Sequence, residues 1–193
     1  MTFRMSITSL DMEFAAGGVV TSLDGSSAIL GGPNNRYRYE LRRTWDLRKP
    51  ALVVCMLNPS TADHQKNDPT ILTLIHFARL WGFGGLIVVN LNAFRSSSPA
   101  EMFAASDPVG PDNDNHIKNA LRYAREIGRN VLVAWGNDGA FMDREARFVA
   151  MANEHRVGLM CLGTTLCGAP KHPLARGRHR IPRDQKPIVW RAA

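Results

Sequence analysis

Residues 52–63 read Leu52-Val53-Val54-Cys55-Met56-Leu57-Asn58-Pro59-Ser60-Thr61-Ala62-Asp63. The first six are apolar without alternation, the pattern of a strand buried on both faces. Pro59 has no amide proton to give a sheet ladder, so the strand stops before it. The residues beyond are polar, and in open α/β sheets the carboxyl edge of the strands is where ligands bind. Asn, Pro, Ser and Asp also favour turns, which gives the same loop a purely structural reading.

Working outward, the chain repeats one pattern. Asp68 suits an N-cap and Pro69 the first helical position, so a helix is predicted to about Trp81, burying Ile71, Leu74, Ile75, Ala78 and Trp81. Leu86–Val89 is a second buried strand, ending in Asn90-Leu91-Asn92. A helix from about Pro111 to Ile127 buries Ile117, Leu121 and Ala124. Val131–Trp135 is a third strand, and a helix from about Phe141 to Glu154 is predicted to bury Met142, Ala146 and Val149. Val157–Leu162 is a fourth strand. Strands alternating with helices predict an α/β fold: a three-layer α/β/α sandwich around a central four-stranded, mainly parallel sheet.

Upstream, Arg36–Trp45 alternates Arg36, Arg38, Glu40 and Arg42 against Tyr37, Tyr39 and Leu41. Period two predicts a half-exposed strand, either an edge protected by charge or an Arg–Tyr surface for nucleic acid. Residues 1–35 are expected to form an appendage of short strands or to be partly disordered, with Asp24-Gly25 able to turn a hairpin. Residues 36–193 then form one α/β/α domain with a basic C-terminal tail.

Hydrophobic content of 45% and charged content of 21% over 193 residues suit a globular protein with a sizeable core. No run approaches the roughly 18 apolar residues of a membrane span, and the start lacks a signal-like basic and apolar sequence. A cytoplasmic, membrane-free location is the expectation. Cys55, Cys161 and Cys167 are too few for a closed four-thiolate site and are expected to be reduced. A net charge of +7 and a pI near 9.8 favour a polyanionic partner, nucleic acid or nucleotide. The charge collects around residues 36–49 and again over 171–191.

Three strand ends carry Asn: Asn58, Asn90 with Asn92 close by, and Asn137; His172 follows the fourth. A parallel sheet opens all four ends on one rim. Asn offers a donor and an acceptor, which suits the edge of a nucleobase, and His can donate to an oxygen on which charge develops. Asp63 is the expected functional acid, because Asp68 already has a role as an N-cap. No phosphate-binding Gly-x-x-x-x-Gly-Lys, no Gly-x-Gly-x-x-Gly after the first strand and no Gly-x-Ser-x-Gly occurs. Asp63, His64, Asp68 and His76 have no recognised metal-ligand spacing, so neither metal nor cofactor is expected.

These motifs resemble the uracil-DNA glycosylase superfamily. Met56-Leu57-Asn58-Pro59-Ser60 resembles the Gly-Ile-Asn-Pro-Gly of its mismatch-specific branch. Val88-Val89-Asn90-Leu91-Asn92-Ala93-Phe94-Arg95 resembles the strand whose Asn contacts the flipped base. Val133-Ala134-Trp135-Gly136 resembles a Trp-Gly strand end, and His172-Pro173-Leu174 the start of a His-Pro-Ser-Pro motif. The chain is similar, closer still, to a bacterial and phage family of unknown function at the edge of that superfamily, over about residues 36–176. Together with Tyr37-Arg38-Tyr39, Asn67-Asp68-Pro69-Thr70 and Lys171-His172, this resemblance implies a base held at the carboxyl rim.

Under that resemblance Asn58, with Asp63, positions water and His172 stabilises the leaving base. Asn90, Asn92, Ser60 and Trp135 bind the base; Arg38, Arg95, Lys171 and Arg176 hold the nucleic-acid backbone, DNA ahead of RNA. Met56 and Ser60 stand where the active branch has glycines, Leu174-Ala175 replace the second Pro of the His motif, and the iron–sulfur cysteines are absent. Base recognition therefore carries over better than glycosidic cleavage. A non-catalytic binder of modified or single-stranded nucleic acid, or an enzyme of free nucleotides or modified bases, is the alternative.

Overall fold

The computed structural model describes residues 18–21 and 25–192. Their strands are β1 (Val19–Thr21), β2 (Ser27–Gly31), β3 (Tyr37–Thr44), β4 (Ala51–Met56), β5 (Gly85–Asn90), β6 (Val131–Val133), β7 (Leu159–Cys161) and β8 (Ile188–Arg191). They form one eight-stranded sheet in the order β1-β2-β3-β5-β4-β6-β7-β8. The expected α/β class holds, but the sheet is mixed and wider than four strands. β5, β4, β6 and β7 run parallel, β3 is antiparallel to β5 and β8 to β7, and β1 and β2 extend the antiparallel edge. Asp24 and residues 1–17 of the expected appendage lie outside the described residues.

The helices are α1 (Pro69–Leu80), α2 (Pro99–Phe103), α3 (Asn113–Glu126) and α4 (Arg144–Glu154). α1 packs Ile71, Leu74, Phe77 and Ala78 on Leu52, Val54, Met56, Leu86 and Val88. On the other face α3 and α4 pack Ile117, Leu121, Phe148 and Met151 on Val53, Cys55, Ile87 and Val89. Successive strand residues point to opposite faces, so a strand covered on both sides must be apolar throughout. That accounts for the unbroken run at residues 52–57. α1 begins as expected, with Asp68 Oδ1 accepting from Ile71 N at 2.9 Å. No helix of the described residues is long and apolar enough to cross a membrane.

Two expectations about local structure fail for identifiable reasons. β3 is not a half-exposed strand: it lies between β2 and β5, and Arg38, Glu40 and Arg43 are buried. Ile29 pairs Glu40 while Leu30 pairs Arg38, so Tyr39 is an extra residue, a β-bulge. The bulge breaks period two. Glu40 bonds Arg42 and faces α3, while Arg38 and Arg43, five residues apart, both face the loop that leads into α1. The second failure concerns α4, which buries Arg144, Phe148, Met151 and Ala152 rather than Met142, Ala146 and Val149. Met142 and Asp143 take left-handed backbone (φ 52° and 56°) after a 3-10 turn over residues 136–143, which resets the helical phase. β8 was not anticipated; Trp190 meets Trp135 edge-on at 5.5 Å, and Arg191 pairs with Glu145 at 3.8 Å.

The chain runs from β4 to its neighbour β5 by way of α1, then crosses to β6 on the other side of β4. The carboxyl ends of β4 and β6 therefore flank the point where the winding reverses, the position at which open α/β sheets generally bind ligands. Two residues with no sequence signal pin the adjoining end of β5. Asn113 Nδ2 donates to Asn90 O (3.0 Å) and Leu91 O (2.9 Å), and Arg144 Nε donates to Leu91 O at 2.8 Å. Replacing Asn113→Ala leaves a buried carbonyl without its donor. It is expected to cost about 1–3 kcal/mol, read as a lower urea midpoint at unchanged m-value.

Candidate functional site

The loop after β4 is shaped by two arginines of β3. Arg38 Nη1 donates to Ala62 O at 2.6 Å. Arg43 donates to Asp63 O and Lys66 O through Nη2 and to Asn67 Oδ1 through Nε. Arg38 is 2% exposed and forms no ion pair with a described residue. Burial pulls its pKa down to about 10, opposed by nearby Asp68, so it stays protonated at neutral pH. A permanent positive charge thus sits under the rim, close to Arg95 and Arg43. The expected contact of Arg38 with a nucleic-acid backbone is therefore corrected: the bulge turns its guanidinium inward, onto a carbonyl of the protein's own chain.

Asn58 lies at the loop's start. Its Nδ2 donates to Ser96 O (2.9 Å) and Pro59 O (3.1 Å), which uses both amide hydrogens and leaves Oδ1 as an acceptor. The strand ends are stitched together here: Leu91 N donates to Met56 O, Asn92 N to Leu57 O and Ser96 N to Pro59 O. On the other side Gly136 N donates to Pro170 O and Lys171 N to Gly163 O, which seats the segment before His172 on the ends of β6 and β7. His172 Nδ1 accepts from Leu174 N at 3.1 Å, so in the neutral ring the proton is on Nε2. Burial lowers the His172 pKa, against an upward pull from Asp68.

Asn58, Asn90 and His172 thus share one edge of the sheet, but the expected base-reading groups are closed off. Asn90 is 1% and Asn92 0% exposed. Among the described residues Asn90 Nδ2 and Asn92 Oδ1 are buried without a partner, while Asn92 Nδ2 reaches Leu57 O at 3.4 Å. Neither residue lines the cavities at this edge. Trp135 is corrected as a base contact: it is 2% exposed and sits in the core under α4, its Nε1 donating to Glu145 at 2.9 Å. An aromatic at a strand end looks the same in sequence whether it faces the rim or a helix.

The acids also change places. Asp63 Oδ1 accepts from Gln65 N (2.9 Å) and Lys66 N (2.8 Å), so this carboxylate closes a turn. Burial pushes its pKa up, but those two bonds prevail and hold it below the usual carboxylate range. Asp68, read from sequence as a cap alone, is the acid whose charge is felt by both His172 and Arg38.

Of the other expected contacts, Ser60 and Arg95 line an open cleft of about 340 Å³ beside Asn58. Arg176 lines a groove of about 550 Å³ between α1 and the C-terminal arm, with Leu72, His76 and Arg180. Lys171 is half-buried, its stem passing over Gly163. Asn137 is exposed and accepts from Thr165 Oγ1 at 2.7 Å. Among the described residues no group of three or more His, Cys, Asp or Glu is placed to hold a metal.

Residues 38–174, well over half of the chain, match a family model described as "Protein of unknown function (DUF1643)". No curated protein and no solved structure matches the chain.

Loss of the Arg43 bonds frees the loop, so Arg43→Met is expected to cost about 2–4 kcal/mol, measured by urea unfolding. Protonation gives a second expectation. His116, stacked on Tyr39 at 5.0 Å, and His172 both have burial-lowered pKa values in the folded state. Above about pH 6.5 each is neutral folded and unfolded. Below it the unfolded chain takes protons that the folded chain refuses, so stability falls with pH until the folded values are reached. Urea midpoints between pH 5 and 7.5 should show this, and His116→Gln should flatten the slope.

Proposed function

The chain belongs to the DUF1643 family, whose description assigns no activity, and we propose that it is a uracil-DNA-glycosylase-like protein. In this reading it takes a nucleotide of a nucleic acid, DNA ahead of RNA, at the carboxyl rim and hydrolyses the N-glycosidic bond.

The observation that supports this most directly is the preset polarity of two side chains on that rim. Asn58 spends both amide hydrogens on Pro59 O and Ser96 O, so only its acceptor faces a ligand. His172 spends Nδ1 on Leu174 N, so its Nε2 is the donor. An acceptor that holds water and a donor that meets a departing base are the two groups this hydrolysis needs. Water, held by Asn58 Oδ1, adds its oxygen to the sugar C1′ as the bond to the base nitrogen breaks. The base leaves with the electron pair, the proton of the water passes to solvent, and His172 Nε2–H donates to the base oxygen on which charge collects. Burial favours the neutral imidazole, which keeps Nδ1 an acceptor and the ring oriented. Buried, protonated Arg38 adds positive potential beneath the same edge. A base contact by Asn90 requires the rim to open, because its Nδ2, without a partner among the described residues, is buried. Extruding a base is least costly from single-stranded, damaged or mismatched substrate.

A second reading, a binder of modified or single-stranded nucleic acid without turnover, draws on the burial of Asn90, Asn92 and Trp135. The two separate in one assay with uracil-, hypoxanthine- and modified-base oligonucleotides. The expected result is an abasic product from at least one, with the rate falling about 10²- to 10³-fold in Asn58→Ala and in His172→Ala. Tight, salt-dependent binding without product from any of them removes the catalytic reading and leaves the binder.

A further inference from the structure

The cleft beside Asn58 has a composition that the base chemistry does not use. Its walls are Asn35 and Arg36 before β3, Ser60 and Thr61 after β4, and Arg95 and Ser97 after β5. Neither Arg36 nor Arg95 forms an ion pair with a described residue. Arg95 donates from Nη1 to Asn35 O at 3.2 Å, and its Nε is buried with no partner among the described residues. The hydroxyls of Ser60, Thr61 and Ser97 make no hydrogen bond to other described residues. Two guanidinium groups without a described carboxylate partner and three hydroxyls without a described hydrogen bond line one space, an arrangement suited to a phosphate.

The surroundings agree. Asn34 and Asn35 both hold left-handed backbone (φ 55° and 52°), a conformation that costs free energy and that presents Asn35 O to Arg95. Two carboxylates lie near. Glu101 accepts from Ser96 Oγ at 2.5 Å, and Asp63, whose charge Arg95 feels, is bonded to Gln65 and Lys66. Arg36, Arg95 and the buried Arg38 outweigh them. The cleft also shares a wall with Asn58, through Asn58 Nδ2 to Ser96 O and Ser96 N to Pro59 O.

We propose that this cleft is a phosphate-binding site that seats a phosphate monoester or diester of the nucleotide whose sugar faces Asn58. The nucleotide identity of the ligand rests on the function proposed above; the affinity for a tetrahedral oxyanion does not.

The test titrates inorganic phosphate, deoxyuridine monophosphate and an abasic pentanucleotide into the full chain at low ionic strength, read by calorimetry. The expected result is binding that weakens about tenfold in Arg36→Gln and in Arg95→Gln, with a salt slope smaller by about one. Arg129→Gln, exposed in the turn that follows α3, should leave affinity unchanged. Arg36 is exposed, so its variant is expected to fold, and a thermal melt checks both. Binding by the pentanucleotide alone identifies a diester; binding by the mononucleotide as well identifies a monoester. Unaltered affinity in both arginine variants overturns the cleft, even if oligonucleotides are cleaved. Phosphate affinity that depends on both arginines, without cleavage of any oligonucleotide, upholds the cleft and removes the glycosidic reading.

Discussion

The rim depends on hydrogen bonds from two buried guanidinium groups to main-chain carbonyls. Arg38 holds Ala62 O, and Arg43 holds Asp63 O and Lys66 O. Placing a charged group out of water costs several kcal/mol unless its donors are used. Arg43 offsets that cost with four acceptors, Asn67 Oδ1 and the carbonyls of Arg42, Asp63 and Lys66, while Arg38 keeps Nε without one among the described residues. Both can reach the same loop only because Tyr39 is an extra residue in β3. In a regular strand, residues five apart point to opposite faces, and one of the two arginines would have faced α3.

The parts of the fold that sequence reveals are those where a local rule and the tertiary context agree. The run at 52–57 is apolar because both sides of β4 are covered, and Asp68-Pro69 start a helix through their own chemistry. The alternation of β3 suggests exposure, whereas the bulge splits its charges between a loop and a helix, and neighbouring strands cover both edges. The buried face of α4 differs from the one its spacing suggests because left-handed Met142 and Asp143 change the phase at its start. β8 is four residues after Lys186-Pro187, too short to show a period, and it forms because Trp190 finds Trp135.

For the site, position along the chain was legible and direction was not. Asn58 and His172 sit at the ends of the strand pattern, and each has a committed and an open atom. Asn90, Asn92 and Trp135 sit at equivalent ends yet are enclosed, because α3 and α4 supply Asn113, Arg144 and Glu145 to that side. Those three partners had no motif to announce them. Asp63 and Asp68 could be ranked from sequence only by how well each explained a turn or a cap, and both serve such a role. What distinguishes Asp68 is its nearness to His172 and Arg38, which come from opposite ends of the chain.

The arginine bonds end on carbonyl oxygens of Ala62, Asp63 and Lys66, atoms that every amino acid carries. These bonds in themselves read no side chain, although Ala62 is buried and the Asp63 carboxylate closes the turn. Ser60, Thr61 and Gln65 can be exchanged for other residues while the backbone path between Pro59 and Asp68 is kept. Shape and chemical preference are thereby uncoupled in this loop, so related chains can diverge in what they select without rebuilding the frame that presents it.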